Sequence, residues 1–337
     1  MKRWKTARPS PDDIAPTLGA EEEFFLVDGR GELVDAAPIL LPDGDRPHLK
    51  HELFECIVEV TTPVARSIGE IGSALTEGRA KLASACAEHG LRPFASGTHP
   101  AAVATPRRVT NTPHYRDVAI RLGNRLSDQL LCGLHVHIGL GSLAATTNAL
   151  EGVIGWLPSV LALAVNSPFE SGRESGVRST RALRLGELED SPLPAVAATP
   201  RDPESSDWWD VRVNRRYSTL EVRVADQPTD VERSVALVGL VQALAITAAS
   251  RPNPPADRLA YGAARDYALQ AGEITGGLAE HIEPVAAMLG TLEQILGLLS
   301  AEREANRQVR IARASGIEAL VADITARTVP TELSRAR

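Results

Sequence analysis

Four short stretches of this chain carry acids and imidazoles at alternate positions, the spacing that puts side chains on one side of a β-strand. Glu21 and Glu23 flank Glu22, Glu55 and Glu59 stand four apart, His135 and His137 enclose Val136, and Glu221 and Arg223 enclose Val222. In the last two stretches the opposite positions are apolar: Leu134, Val136 and Ile138 in one, Leu220, Val222 and Val224 in the other. Each stretch therefore has one side fit for burial and one polar side. If the strands share a sheet, its polar face holds several carboxylates, one or two imidazoles and an arginine. Clustered carboxylates resist ionisation together unless cations compensate them. Hard divalent ions, Mg²⁺ first and Mn²⁺ as the alternative, bind carboxylate oxygens and bridge to substrate phosphates. An arginine on the same face suits the charge that spreads during phosphoryl transfer.

Taken singly, each group has an ordinary explanation. A run of three glutamates is usually a solvated face, a His-x-His pair on a strand arises by chance, and Glu221 with Arg223 could be a cross-strand ion pair. The adjacent Trp208 and Trp209 are more often packing than recognition. Together, on one face, the acids, imidazoles and arginine point to a metal-assisted phosphoryl chemistry that none indicates alone.

The elements that must position these groups can be read from the same sequence. Residues 17–28 read as a strand, with Gly29 and Gly31 marking a turn into a short return strand. Residues 51–60 form a second strand ended by Pro63, and residues 68–89 have helical spacing closed by Gly90. Further strands are expected at 91–96, 131–140, 208–213 and 218–225, with helices at 114–130 and 144–165. A Ser/Gly/Arg-rich loop containing Arg173, Arg178 and Arg181 separates the two halves, and from residue 230 onward the chain is mostly helical with a break at RPNPP. This order predicts an α+β fold, an antiparallel-rich sheet with a polar concave face backed by helices. Residues 1–16 read as a flexible N-terminal tail, 17–327 as a single domain and 328–337 as a C-terminal tail.

Composition narrows the class. Of 337 residues, 43% are hydrophobic and 23% charged, as in an ordinary globular protein, and the net charge of −7 argues against nucleic-acid binding. Four lysines stand against 32 arginines, a bias that a GC-rich genome would produce. Cys56, Cys86 and Cys132 are odd in number, widely spaced and set in apolar runs, which suggests a reduced, cytoplasmic protein. The basic N-terminus has no apolar stretch behind it, and the longest apolar run, 153–165, is too short to span a membrane.

Four segments together resemble one family: GAEEEFFLVD (19–28), ELFECIVEVTTPV (52–64), CGLHVHIGL (132–140) and YSTLEVRVADQPT (217–229). ASGTHP (95–100), NSPFESGRESGVRSTR (166–181), WWDVR (208–212) and ANRQVR (305–310) support them in the same order. The chain resembles the glutamate–cysteine ligase family of the bacterial carboxylate–amine ligase type, whose fold resembles glutamine synthetase. The resemblance implies an ATP-dependent ligase that joins a glutamate-like carboxylate to a cysteine-like or other amine through an acyl phosphate. It implies Glu21, Glu23, Glu59, His135 and Glu221 as Mg²⁺ ligands, with Arg223 steadying the transferred phosphoryl group beside Glu21 and Glu59. His137 lies close by without an assigned part, and the loop of Arg173, Arg178 and Arg181 is expected to face ATP and the substrates. ATP, the acid and the amine are the expected partners, with no membrane or nucleic acid, and a homodimer is left open. Two departures bear on substrate choice: Ala101 after GTHP, where relatives often have phenylalanine, and DRLAYGAARDY at 257–267. Kinase-type phosphoryl transfer on the same fold, or a non-catalytic nucleotide-binding relative, would show a similar face.

Overall fold

The computed structural model describes residues 16–103, 107–188, 192–193, 208–274 and 276–329. Its first half runs β1 (Thr17–Val27), α1 (Ala37–Leu40), β2 (Leu49–His51), β3 (Ile57–Thr61), α2 (Ile68–Ala87), β4 (Arg92–Phe94), α3 (Pro113–Leu122) and β5 (Gly133–Gly139). A 3-10 helix (Gly123–Gln129) follows α3 directly. Next come α4 (Leu143–Ile154), α5 (Leu157–Ala164), the two-residue strands β6 (Phe169–Glu170) and β7 (Arg173–Glu174), α6 (Thr180–Gly186), β8 (Val211–Asn214) and β9 (Thr219–Asp226). The rest is helical: α7 (Val231–Ala249), α8 (Arg258–Ala271), α9 (Leu278–Leu289), α10 (Leu292–Ser300) and α11 (Glu304–Thr328).

One antiparallel sheet runs β2-β3-β1-β5-β9-β8, with β4 pairing the far end of β1. β1 is its spine: its 11 residues are long enough to pair with β3, β4 and β5. Alternation then sorts the side chains. Leu18, Ala20, Leu134, Val136, Ile138, Leu220, Val222 and Val224 are buried on the back of the sheet in one core with α4, α5 and α7. Glu21, Glu23, Glu59, His135, His137, Glu221 and Arg223 are left on the front. This is the α+β architecture read from the sequence.

Local chemistry fixes several boundaries. Ser67 caps α2 by accepting from the Glu70 backbone N–H, while the Glu70 carboxylate accepts from the Arg66 N–H. Gly90 stands three residues past α2 at φ +68°, a conformation that favours glycine. The strand expected over 51–60 is broken: residues 52–56 leave the sheet because Phe54 bridges to Val109, the Glu55 N–H donates to the Arg108 carbonyl, and the Glu55 carbonyl accepts from Ala37. The helix expected over 114–130 tightens into 3-10 geometry after Gly123.

Among the described residues helix α7 is the one single helix long and apolar enough by composition to cross a bilayer, the pair α4–α5 passing only when joined across its 68° bend; 72% of the most apolar 18-residue window of α7 is buried inside the protein, packed on α2, α4, α9 and α10. Thr328, placed in the tail by its sequence, ends α11 fully buried, where its hydroxyl accepts from the Ala95 N–H. Residues 1–15 and 330–337 of the expected tails, and most of the Pro-rich stretch before residue 208, lie outside the described residues.

Candidate active site

Strand register assembles the polar face. Glu23 is paired with Glu59, Glu21 with His135, and His137 with Glu221. At the two flanks Lys50 pairs with Glu59 and Arg212 with Glu221. The ladder between β5 and β9 slips between Leu134 and Val136, next to Arg223, so this arginine sits at an irregularity that re-aims side chains. Arg223 donates to Glu221 Oε1 at 2.5 Å, and its Nη1 lies 3.3 Å from His135 Nδ1.

Among the described residues three overlapping sets of potential metal ligands result: Glu23–Glu52–Glu59, Glu21–Glu59–His135 and Glu21–His137–Glu221, each with ligand atoms within 4.8 Å of one another. The imidazoles support a cation here. Among the described residues His135 Nε2 and His137 Nε2 are buried without a hydrogen-bond partner, yet they lie 3.7 Å from Glu23 Oε1 and 3.5 Å from Glu21 Oε1. Thr219 Oγ1 stands 3.0 Å from His137 Nδ1 and fixes the ring with Nε2 turned to the acids, the kind of outer contact that orients a ligating imidazole. A carboxylate-rich donor set fits Mg²⁺ or Mn²⁺.

The carboxylates are electrostatically divided. Burial works to raise Glu21, but the hydrogen bond with His135 and the nearby His137 imidazole hold it well below the usual range. Burial also opposes Glu221, which Arg223 and Arg212 hold low. Glu59 is pushed up to about 7 by burial and by Glu21, against the pull of Lys50, whose ammonium lies 2.8 Å away. Desolvation, with Glu23 and Glu59 beside it, pushes Glu52 well above the carboxylate range. Without a cation, this wall is short of positive charge at its Glu52 end.

A cavity of about 260 Å³ opens on that end, lined by Glu21, Glu23, Glu52, Glu59, Arg181 and Arg223 and walled by Tyr115, Leu131, Trp208 and Trp209. Of the three loop arginines only Arg181 reaches it, buried at 3% exposure. Arg173 is exposed on β7, and Arg178 lines a separate surface pocket with Arg310 and Arg313. Three participants were not singled out by the sequence reasoning. Glu52 replaces Glu55, which is turned toward Arg108 at 3.9 Å. Arg212 and Asn214 both donate to Glu221 Oε2 at 2.8 Å. Arg212 ends the WWDVR motif and Glu52 opens the ELFECIVEVTTPV segment, but neither was given a part, and Glu52 lies between strands where alternation assigns no face.

Residues 17–200 and 189–327 match the family described as Glutamate-cysteine ligase family 2. A protein of Saccharopolyspora erythraea, provisionally named glutamate–cysteine ligase 2-1, is 32% identical over 357 residues, covering 94% of this chain and 96% of that protein. The glutamate–cysteine ligase of Haloferax volcanii is 29% identical over 348 residues, covering 93% and 97%. In fold, the chain is similar to the glutamate–cysteine ligase of Francisella tularensis solved in complex with AMP, with a TM-score of 0.69 at 12% identity over 95% of this chain and 91% of that one. With the family matched over nearly its whole length and the relatives matched end to end, this chain belongs to the glutamate–cysteine ligase family 2 and is an ATP-dependent ligase.

Proposed function

We propose that this chain forms an amide between an amino-acid carboxylate of the glutamate type and an amine, cysteine-like or other, through an acyl phosphate. One observation carries the reading: the three ligand sets overlap through Glu21 and Glu59 on a single sheet face, with Arg223 beside them. A carboxylate is a poor electrophile, and an amine displaces oxygen from it only after the oxygen becomes a leaving group. In the first step the acid's carboxylate oxygen attacks the γ-phosphorus of ATP, and the bond to the ADP oxygen breaks. In the second the amine nitrogen adds to the carbonyl carbon, phosphate departs with the C–O electron pair, and the nitrogen gives up a proton.

The residues divide the work. Glu21, Glu23, Glu52, Glu59, His135, His137 and Glu221 would hold divalent ions, which would supply positive charge to offset that of the phosphates. Arg223, held by Glu221, offers a planar donor pair to the phosphoryl oxygens as their charge spreads. Trp208, Trp209 and Leu131 wall the cavity and exclude water from an intermediate that water would destroy. The test is release of ADP and phosphate from Mg²⁺-ATP with L-glutamate and a panel of amines, products identified by mass. ADP released with no amide formed at any amine would overturn ligation in favour of simple phosphoryl transfer.

A further inference from the structure

Four motifs of the sequence lie off the ligand-bearing face: Gly97 in ASGTHP, Asn166 to Arg181, Asp226 in VADQPT, and Gln308 in ANRQVR. They converge on one buried group. Asp226, fully buried at the end of β9, accepts from the Asn166 N–H at 2.7 Å, from Ser167 Oγ at 2.6 Å and from Ser179 Oγ at 2.7 Å. Gly97 makes room for it, since a Cβ there would come within 2.6 Å of the carboxylate carbon. Gln308 reaches in from α11 to donate to Asn166 Oδ1 at 2.7 Å. Three donors on a carboxylate buried away from water form a network that is costly to disturb, because each partner would be left unsatisfied.

The two serines also act on the start of α6. Ser179 Oγ, while donating to Asp226, accepts from the Ala182 N–H at 3.0 Å and caps the helix. Ser167 Oγ accepts from the Arg181 N–H at 3.2 Å. Asp226 thus fixes the backbone on both sides of Arg181. The Arg181 side chain runs into the cavity over Gly133, where a Cβ would meet Nη2 at 2.2 Å. Among the described residues its guanidinium donates only to the Arg223 carbonyl, at 3.2 Å from each Nη. Arginine carries five N–H donors, so a buried guanidinium lining a cavity with donors to spare is set to receive an anionic group.

We propose that Asp226 is a positioning residue which, through Ser167 and Ser179, aims the Arg181 guanidinium at the anionic end of the carboxylate substrate in the cavity. The inference rests on the ligase reading for the identity of that substrate. It distinguishes Arg181 from Arg223, which serves the phosphoryl group, and gives the buried motifs a purpose in substrate binding.

Asp226→Asn keeps the shape and removes the charge that the three donors face. Hydrogen–deuterium exchange on the full chain is expected to quicken roughly tenfold over residues 166–186, with β1, β3 and α2 unchanged. Hydroxamate formation from L-glutamate, Mg²⁺-ATP and hydroxylamine is expected to show an acid KM raised roughly tenfold and an ATP KM within about twofold of wild type. In an Arg181→Ala background, Asp226→Asn is expected to add less than about twofold to the acid KM, because the group it positions is gone. If Asp226→Asn does not fold, Ser167→Ala enters the same three measurements. Unchanged exchange over 166–186, acid and ATP KM rising together, or full additivity with Arg181→Ala would each overturn the proposal. A wild-type chain that yields no hydroxamate counts against the ligase reading instead, and the exchange measurement still decides whether Asp226 orders the Arg181 segment.

Discussion

Glu23 on β1 and Glu59 on β3 stand opposite each other as register partners, two buried carboxylates joined by Glu52 in one ligand set. Like charges this close destabilise each other until a cation enters. Mg²⁺ is therefore expected to raise the melting temperature of the wild type, since an ion held by this set would bind the folded chain and not the unfolded one. In Glu59→Gln most of that gain disappears and turnover falls by at least about tenfold, while the Mg²⁺-free melting temperature holds or rises slightly as repulsion is relieved. Melting curves with and without Mg²⁺ check this; a variant that keeps the full gain would make Glu59 a mere wall residue.

Glu221 and Arg223, two residues apart on β9, are expected to fail differently. Glu221→Gln removes a proposed ligand and should weaken Mg²⁺ affinity and ATP binding together. Arg223→Lys keeps the charge and loses the planar fork, so kcat should fall on the order of 10²–10³ with little change in Mg²⁺ affinity. Initial rates over a Mg²⁺ titration separate the two. If both variants only shift stability, by about a kilocalorie, the pair is an ion pair of the sheet and nothing more.

The middle acid of the triplet has a different duty. Glu22 points to the back of β1, where Arg79 from α2 grips it at 2.5 and 2.9 Å, both groups fully buried. Arg79 also donates to the Pro228, Thr229 and Thr328 carbonyls, which ties β1 to the ends of β9 and α11. Glu22→Gln leaves a buried guanidinium without its counter-charge and should cost about 3–5 kcal/mol, read from urea midpoints. A loss below about 1 kcal/mol would show that the neighbouring carbonyls alone satisfy Arg79.

His99 gives the fold a dependence on pH. Its Nδ1 lies 3.1 Å from the Ala102 N–H and 3.3 Å from the Ala101 N–H, and its Nε2 lies 2.9 Å from the Gly31 carbonyl, so the ring fits as the neutral Nε2–H form. Burial, with Arg107 nearby, lowers its pKa from 6.5 to about 4. The unfolded chain therefore takes up this proton first. The contribution of His99 to stability is complete above pH 6.5 and lost as pH falls toward about 4, an effect of about 3 kcal/mol. Denaturation at pH 7.5 and pH 5 in wild type and His99→Gln isolates it: the variant should lose less stability on acidification. Equal losses in both would assign the slope to other groups.

What the sequence made legible was the periodic part of the site. On β1, β5 and β9 a side chain's face follows from counting, so Glu21, Glu23, His135, His137, Glu221 and Arg223 could be placed together without coordinates. Where the backbone leaves the ladder, counting fails. Glu55 and Glu59 share a parity, but residues 52–56 turn away toward Val109 and Arg108, and Glu52 comes into the set in place of Glu55. The partner of Glu22 is 57 residues away on a helix, a pairing that no local pattern encodes. The Arg-rich loop was visible, but the contacts of Ser167 and Ser179 that hold the backbone around Arg181, the arginine that lines the cavity, are long-range and not encoded in any local pattern.

In the proposed mechanism this face moves the γ-phosphoryl group of ATP onto a carboxylate before the amine attacks. The most direct measurement follows the carboxylate oxygen. With L-glutamate labelled with ¹⁸O in its side-chain carboxylate, Mg²⁺-ATP and an accepted amine, the predicted products are ADP, an amide retaining one label, and phosphate carrying the other. AMP and pyrophosphate as products, with the label in AMP, or amide formed with unlabelled phosphate, would contradict it.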